Sequence, residues 1–298
     1  MHGTWPAGVR LASLIALLTA ALVTAACQRP ITPGDDILEP ARDRPAAPPS
    51  YNALIEQYNA HVERLDQFWS ASRVAMRWVD EDGQSRFEQG DGQLIYRRPH
   101  EIAMTVGQLG QTILWAGSDA QRYWLFDLQN DGTAMVGRHE FVGQPCARPL
   151  PYPVSPRAMP YLMGLVPLPP SDEAEVVVDR NYYRIDPPGA GVRMWLDPET
   201  AHPLRVDMLD EEGESVVAAR LWRHEPVRME TVEREHWPRI ATAANIYVLG
   251  EEGYLSLSLD MLSDGRQRDQ VRDQAFDFDV LLRAHRPGEV IVLDEACR

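Results

Sequence analysis

The chain has 298 residues, of which 44% are hydrophobic, 24% charged and 8% aromatic, a globular composition that excludes a disordered or fibrous chain. Twenty-nine basic residues stand against 44 acidic ones, a formal charge of −15, and a surface of that sign repels phosphate backbones, so no nucleic-acid partner is expected. Every basic residue is an arginine. Without lysine, a phosphate-loop lysine, a Schiff base and a lysine general base are all excluded.

The first segment, residues 1–26, reads as an export signal. Arg10 precedes an apolar run at 11–23, and no acid occurs before Asp35. That run is well short of the roughly 20 residues that span a bilayer, so a cleaved signal is favoured over a transmembrane helix. Its end, Val23-Thr24-Ala25-Ala26-Cys27, resembles the bacterial lipoprotein signal, with Thr24 where Leu is commonest. The resemblance implies lipid attachment at Cys27, and two or more acyl chains there hold a protein stably on a membrane. It also implies, from Gln28 in place of Asp, an outer-membrane location facing the periplasm.

Residues 27–50 form a tether. Pro30, Pro33, Pro40, Pro45, Pro48 and Pro49 disfavour regular structure and hold the folded part of the chain away from the membrane. If Cys27 carries lipid, Cys146 and Cys297 remain in an oxidising space, where both a disulfide and two separate thiols are open readings.

Residues 51–298 read as one β-domain. It opens with an amphipathic helix over 51–69, whose face is Leu54, Ile55, Tyr58, Val62, Leu65 and Trp69. Strands are expected at 74–79, 86–98, 101–109, 111–116, 122–128 and 134–141, with turns at 80–83, Gly110, 117–119 and 130–132. Gly90 and Gly92 suggest a bulge in the second strand. A proline-dense interruption at 145–170 leaves room for a short helix at 157–165. Strands resume at 175–179, 182–186, 192–196, 204–209, 215–224, 239–249 and 254–261. A helix at 272–285 and a last strand at 290–293 complete the chain.

Three local stretches, with the signal, tether, helix and strand series, resemble the LolA/LolB-type lipoprotein-carrier superfamily. Gly92-Gln93-Leu94-Ile95-Tyr96-Arg97-Arg98-Pro99 is similar to its strand ending in an Arg-Pro corner. Trp195-Leu196-Asp197-Pro198-Glu199-Thr200, followed by Pro203-Leu204-Arg205, is similar to its hairpin with an Asp-Pro turn. Phe276-Asp277-Phe278 before Pro287-Gly288-Glu289-Val290-Ile291 resembles its C-terminal pattern. The expected fold is therefore mainly β, a single large curved antiparallel sheet (an incomplete, LolA-like β-barrel) covered by a few α-helices. The resemblance implies an apolar cavity that takes a lipid or the acyl chains of lipoproteins.

An open half-barrel is too wide for its own side chains to fill, and a helical lid can leave a pocket beneath it. Met76, Trp78, Met104, Leu114, Trp124, Phe126 and Trp195 are the candidate lining residues, with an ordinary closed core as the alternative. No catalytic residue, cofactor or metal is expected. Each of the pairs His100-Glu101, His139-Glu140 and His224-Glu225 lacks the second histidine of a zinc-protease helix. No Gly-x-Ser-x-Gly elbow occurs, and the acidic turn at 80–83 fails the spacing of a calcium loop. The sequence therefore points to a membrane-anchored, non-enzymatic lipoprotein binding lipid or acyl chains. The alternative is an envelope interaction lipoprotein on the same fold with a filled barrel.

Overall fold

A computed structural model describes residues 47–79, 83–129, 132–150 and 154–297. The signal segment, Cys27, the tether up to residue 46 and the turn residues 80–82, 130 and 131 lie outside the described residues. No described helix is long and apolar enough to cross a membrane.

The first element is α1 (Tyr51–Val62), whose N-terminus is capped by Ser50 Oγ accepting from the Ala53 amide. It is shorter than the 51–69 helix expected from periodicity. The backbone from Gln67 onward is taken by a strand, β1 (Gln67–Val79), which pairs along its whole length with β2 (Ser85–Arg97). Leu65 is still buried, but from the connecting turn, and Trp69 lies in the ladder opposite Ile95.

Four strands continue the meander: β3 (Glu101–Gln108), β4 (Gln111–Ser118), β5 (Arg122–Asp127) and β6 (Thr133–Arg138). Gly117 and Ser118, expected in a turn, belong to β4, and the turn starts at Asp119, whose carboxylate accepts from the amides of Gln121 and Arg122. The connection to the next strand contains a short helix, α2 (Met159–Leu162). A second meander comes next: β7 (Val177–Asp179), β8 (Tyr182–Ile185), β9 (Val192–Leu196), β10 (Pro203–Leu209), β11 (Ser215–Pro226), β12 (Arg239–Val248) and β13 (Tyr254–Ser263). The chain ends with α3 (Phe278–His285) and β14 (Glu289–Val292).

All strands join one 14-stranded sheet, in the order β14-β6-β5-β4-β3-β2-β1-β13-β12-β11-β10-β9-β8-β7. The two meanders therefore run outward in opposite directions from the central β1–β13 pair. Pairing is antiparallel except at one edge, where β14 lies parallel to β6, a departure from the all-antiparallel expectation. No register shift occurs at Gly90 or Gly92, so the expected bulge is absent. The glycines serve close approach instead: a Cβ on Gly92 would lie 1.9 Å from the Thr105 carbonyl oxygen, and one on Gly90 2.2 Å from that of Gly107.

The sheet is curled. The 3-10 turn Pro156–Ala158 touches β3, β4 and β5, and α2, which continues directly from it, touches β10. In a flat sheet β4 and β10 are seven strand spacings apart, about 34 Å. Seven residues in helical turns advance only about 10 Å. The two halves must therefore face one another across a hollow, as in an incomplete barrel.

The topology explains what crosses that hollow. The chain leaves β6 beside one edge of the sheet and begins β7 at the other. The described intervening residues, 139–150 and 154–176, run over the concave side as a strap. A second crossing, residues 264–288, runs over the convex side from β13 back to the β6 edge. There Ala275 and Phe276 cover Ile95 and Ala103, and Phe278 and Leu281 cover Trp124 and Phe126. Cys146, near the start of the concave strap, is bonded to Cys297 at the end of the convex one, with Cα atoms 5.2 Å apart. The adjacent Arg148 amide donates to the Leu293 carbonyl at 2.8 Å.

Candidate functional site

The concave face is largely apolar, with Ser70 and Ser72 of β1 as buried polar residues on it. Val74 and Met76 of β1, Leu94 and Tyr96 of β2, Met104 and Val106 of β3, and Leu114 of β4 are buried in the same cluster as Met194 and Leu196 of β9 and Leu255, Leu257 and Leu259 of β13. The two-residue period of each strand sends these side chains to one side. Their burial comes from a cover of two pieces. Tyr51, Leu54, Ile55, Tyr58 and Val62 of α1 supply one, and Met159, Leu162, Met163, Leu165 and Leu168 of the strap supply the other.

Six hydrogen bonds join the two pieces into one layer. Asn59 clamps the Leu168 backbone, with Nδ2 donating to its carbonyl at 2.8 Å and Oδ1 accepting from its amide at 2.9 Å. Asn52 accepts from the Ser171 amide and donates to Asp172. Tyr58 and Tyr51 donate to the carbonyls of Val166 and Pro169. Tyr96 of β2 reaches up from the sheet and donates to the Leu165 carbonyl at 3.1 Å. Burial pushes the phenols of Tyr58 and Tyr96 well above their usual range, so both stay protonated donors.

The sequence-derived lining residues divide between faces. Met76, Met104 and Leu114 are buried on the concave face and Trp78 packs against the same cluster. Trp124, Phe126 and Trp195 do not join them. On β5 the concave residue is Leu125, while Trp124 and Phe126 point to the convex side against Phe278, with ring centroids 6.0 and 5.5 Å away. Both faces of β5 are covered, so residues 123–126 are all aromatic or aliphatic and alternation carries no phase. Trp195 lies on the convex side with Tyr182, its Nε1 donating to Asp179 at 2.8 Å and the Arg205 guanidinium 4.4 Å above its ring.

Sequence reasoning missed the histidines at the margin of the cover. His61 ends α1, His202 precedes β10 and His224 lies in β11. Their rings form a row, with centroids 4.9 Å apart for His61–His202 and 4.7 Å for His202–His224, the latter pair stacked within 4° of parallel. His202 is only 9% exposed, and the Nε2 atoms of His202 and His224 find no protein partner. Burial, and after it the neighbouring imidazoles and Arg239, lower the His202 pKa to about 4. Burial, opposed by a hydrogen bond to the Pro203 backbone and assisted by Arg239, lowers that of His224 to about 4 as well. His61 is lowered by burial, Arg64 and Arg239. No spacing rule could have found this row, because three distant segments supply one ring each.

The row borders an enclosed space of about 10 Å³, lined also by Tyr58, Met163, Gly164 and Arg239. A lipid-sized site needs a few hundred Å³ or more, so the hollow of this form is occupied by the cover. Elsewhere, Glu233, Glu235 and His236 place three donor groups close enough to share a cation, and all three are exposed.

No protein-family model and no curated protein matches the sequence. Among solved structures, the chain is similar to a LolA superfamily protein from Nitrosomonas europaea (10% identity, TM-score 0.43, 76% of this chain and 99% of that one). It is similar to a DUF1329 family protein from Desulfovibrio piger (12%, 0.48, 77% and 98%). It is also similar to an outer membrane lipoprotein-sorting protein domain from Vibrio parahaemolyticus (10%, 0.43, 70% and 89%). At such identities the likeness is one of fold alone, and the half-barrel here stands on its strand order and on the seven residues that bridge β4 and β10.

Proposed function

We propose that this chain is an envelope lipoprotein, anchored through Cys27 and a tether over 27–50, whose half-barrel receives the acyl chain of a lipid or of another lipoprotein. The observation that carries the reading is the build of the cover. The concave face is a largely apolar surface, and what shields it is a separate layer whose side-chain hydrogen bonds are largely spent on holding its own two pieces together. Such a layer leaves the sheet by giving up apolar contact, and an acyl chain replaces apolar contact with apolar contact. The likeness to a LolA superfamily protein and to a lipoprotein-sorting domain agrees with this fold-level reading.

The filled hollow favours a second reading, an interaction lipoprotein that uses the same fold as a rigid body and takes no lipid. Native mass spectrometry of the full chain, released from micelles and offered a long-chain fatty acid, separates the two. Retention of one lipid per chain is expected. A chain that retains none, at any lipid excess, refutes the acyl reading and leaves the interaction lipoprotein.

A further inference from the structure

The imidazole row sits where the end of α1 meets the sheet; the strap contributes only Met163 and Gly164 there, and every other element contributes a titratable or charged group. From α1 and the turn after it come Tyr58, His61 and Arg64; from the β9–β10 turn, Asp197 and His202; from β11, His224; from β12, Arg239. Three imidazoles and two guanidiniums face a single carboxylate. With neutral imidazoles the rings stack and the seam is closed. With protonated ones, up to three new positive charges come together beside the exposed Arg64 and Arg239, around a space with room for about one water.

The strap repeats the arrangement at its other end. His100, at the β2–β3 corner, stacks on Tyr161 of α2, with centroids 6.1 Å apart. His139 stacks on Tyr123 of β5, its Nε2 lies 2.8 Å from the Asp119 carbonyl, and its Nδ1 finds no protein partner. Arg157 of the strap donates to the His139 carbonyl at 2.6 Å and is the nearby positive charge for both rings. Burial, then Arg157, lowers His100; burial lowers His139 against the pull of Asp119.

We propose that the histidines at the seam are a pH-sensitive latch, sealing α1 and the strap over the concave face while neutral and releasing them on protonation, so that mildly acidic conditions open the hollow to an acyl chain. The proposal rests on the acyl-binding reading for its last clause alone; the opening of the cover is independent of any ligand. A latch of this kind is driven by the difference in proton affinity between the two states, because a ring freed into water returns to its ordinary value and takes up the proton that the seam refused. For a histidine held near 4 when sealed and near 6.5 when free, opening becomes about 30-fold more favourable between pH 7.5 and pH 5.

The test is hydrogen exchange of the full chain at pH 7.5 and pH 5, corrected for the intrinsic pH dependence of exchange. It compares the wild type with the double variant His202→Phe/His224→Phe, which keeps two flat rings and removes the titration. In the wild type the amides of α1 are expected to exchange 30-fold faster or more at pH 5, while those of the central β12–β13 pair stay protected. In the double variant the rise should shrink sharply, the remainder coming from His61, His100 and His139. A rise below threefold in the wild type, or an equal rise in both proteins, overturns the latch. Should the double variant lose β12–β13 protection, each single substitution serves, since each should halve the logarithm of the rise. Binding of a fluorescent fatty acid at the two pH values keeps the two readings apart. Loosening without binding refutes the acyl ligand and keeps the latch; equal binding at both values without loosening does the reverse.

Discussion

Asn59→Ala tests whether the cover is a layer that can part from the sheet. Asn59 is half-buried and satisfies both the amide and the carbonyl of Leu168, at 2.9 and 2.8 Å. Alanine leaves that peptide without its partners. An unpaired buried polar group costs about 1–3 kcal/mol, and water reaching part of this site brings the two together down to about 2 kcal/mol. Where that loss falls is the informative quantity. If α1 parts from the strap as a local unit, breaking the clamp, the variant's opening equilibrium for Leu168 and neighbouring amides rises by about 30-fold, since 1.4 kcal/mol is a factor of ten.

Exchange in the central strands should then change far less than in the cover, because breaking the β1–β13 pair requires global unfolding. The same variant should bind a fluorescent fatty acid more tightly, up to the factor by which the open population grows. If instead the cover amides of wild type and variant exchange only through the reaction that also exposes β12 and β13, the cover is not separable. The reasoning for a lipid site through this opening would then fail.

Acidification should lower the urea midpoint of the wild type as pH falls from about 6.5 to about 4. The buried imidazoles bind fewer protons folded than unfolded over that window, so stability is lost going down and is flat above it; a midpoint that rises on acidification would reverse the sign argued here. Gly164→Ala should destabilise by about 1–3 kcal/mol, because φ is +64° and the new Cβ would lie 2.5 Å from Pro203 Cγ; an unchanged thermal midpoint would show that the strap's seat on β10 is not as described. Cys146→Ser opens a bridge across 151 residues and should cost about 2–5 kcal/mol in chemical denaturation, with an unchanged midpoint meaning that the two straps need no pin at the β6 edge. Cys27→Ser should move the protein from the membrane to the soluble fraction on cell fractionation, and undiminished membrane retention would refute attachment there.

The strands were legible because most of them are bounded by turns and carry a two-residue period. The Arg-Pro corner between β2 and β3 and the Asp197 turn, whose carboxylate accepts from the Glu199 and Thr200 amides, lie where the local motifs placed them. Facing was legible only where one side of a strand is wet. On β1 the alternation survives because Arg73 is exposed and Val74 is buried, and Met76 is placed correctly. On β5 and β9 both sides are covered, and Trp124, Phe126 and Trp195 fell on the wrong one. The strap was read as an interruption because its prolines dominate the pattern. Its apolar residues, Met159, Leu162, Met163, Leu165 and Leu168, are as dense as those of a core element. The histidine row was invisible for a different reason: its meaning lies in the distance between rings from three segments, which no local pattern encodes.

The strap also bears on what the hollow can hold. A meander that ends at one edge and resumes at the other must send chain across the sheet, and here it crosses on the concave side, so part of the filling is a consequence of topology. α1 is not constrained in that way, because it precedes β1 and can swing on residues 63–66. Lifting α1 alone uncovers its five buried side chains, an apolar cost of about 7–15 kcal/mol at 1.5–3 kcal/mol each, and exchanges its six hydrogen bonds to the strap for ones to water. An acyl chain of about fifteen methylenes laid in their place returns about 12 kcal/mol. The exchange is close to balance, which suits a site that must load and release. A ligand with two or three chains needs more room than α1 vacates and must displace the strap as well, against the Tyr96 hydrogen bond and the disulfide at its root, whereas the Asn59 clamp opposes only the separation of α1 from the strap. A single-chain ligand should therefore bind reversibly to the wild type and gain most from Asn59→Ala, whereas a triacylated one, which moves α1 and the strap together, should gain far less.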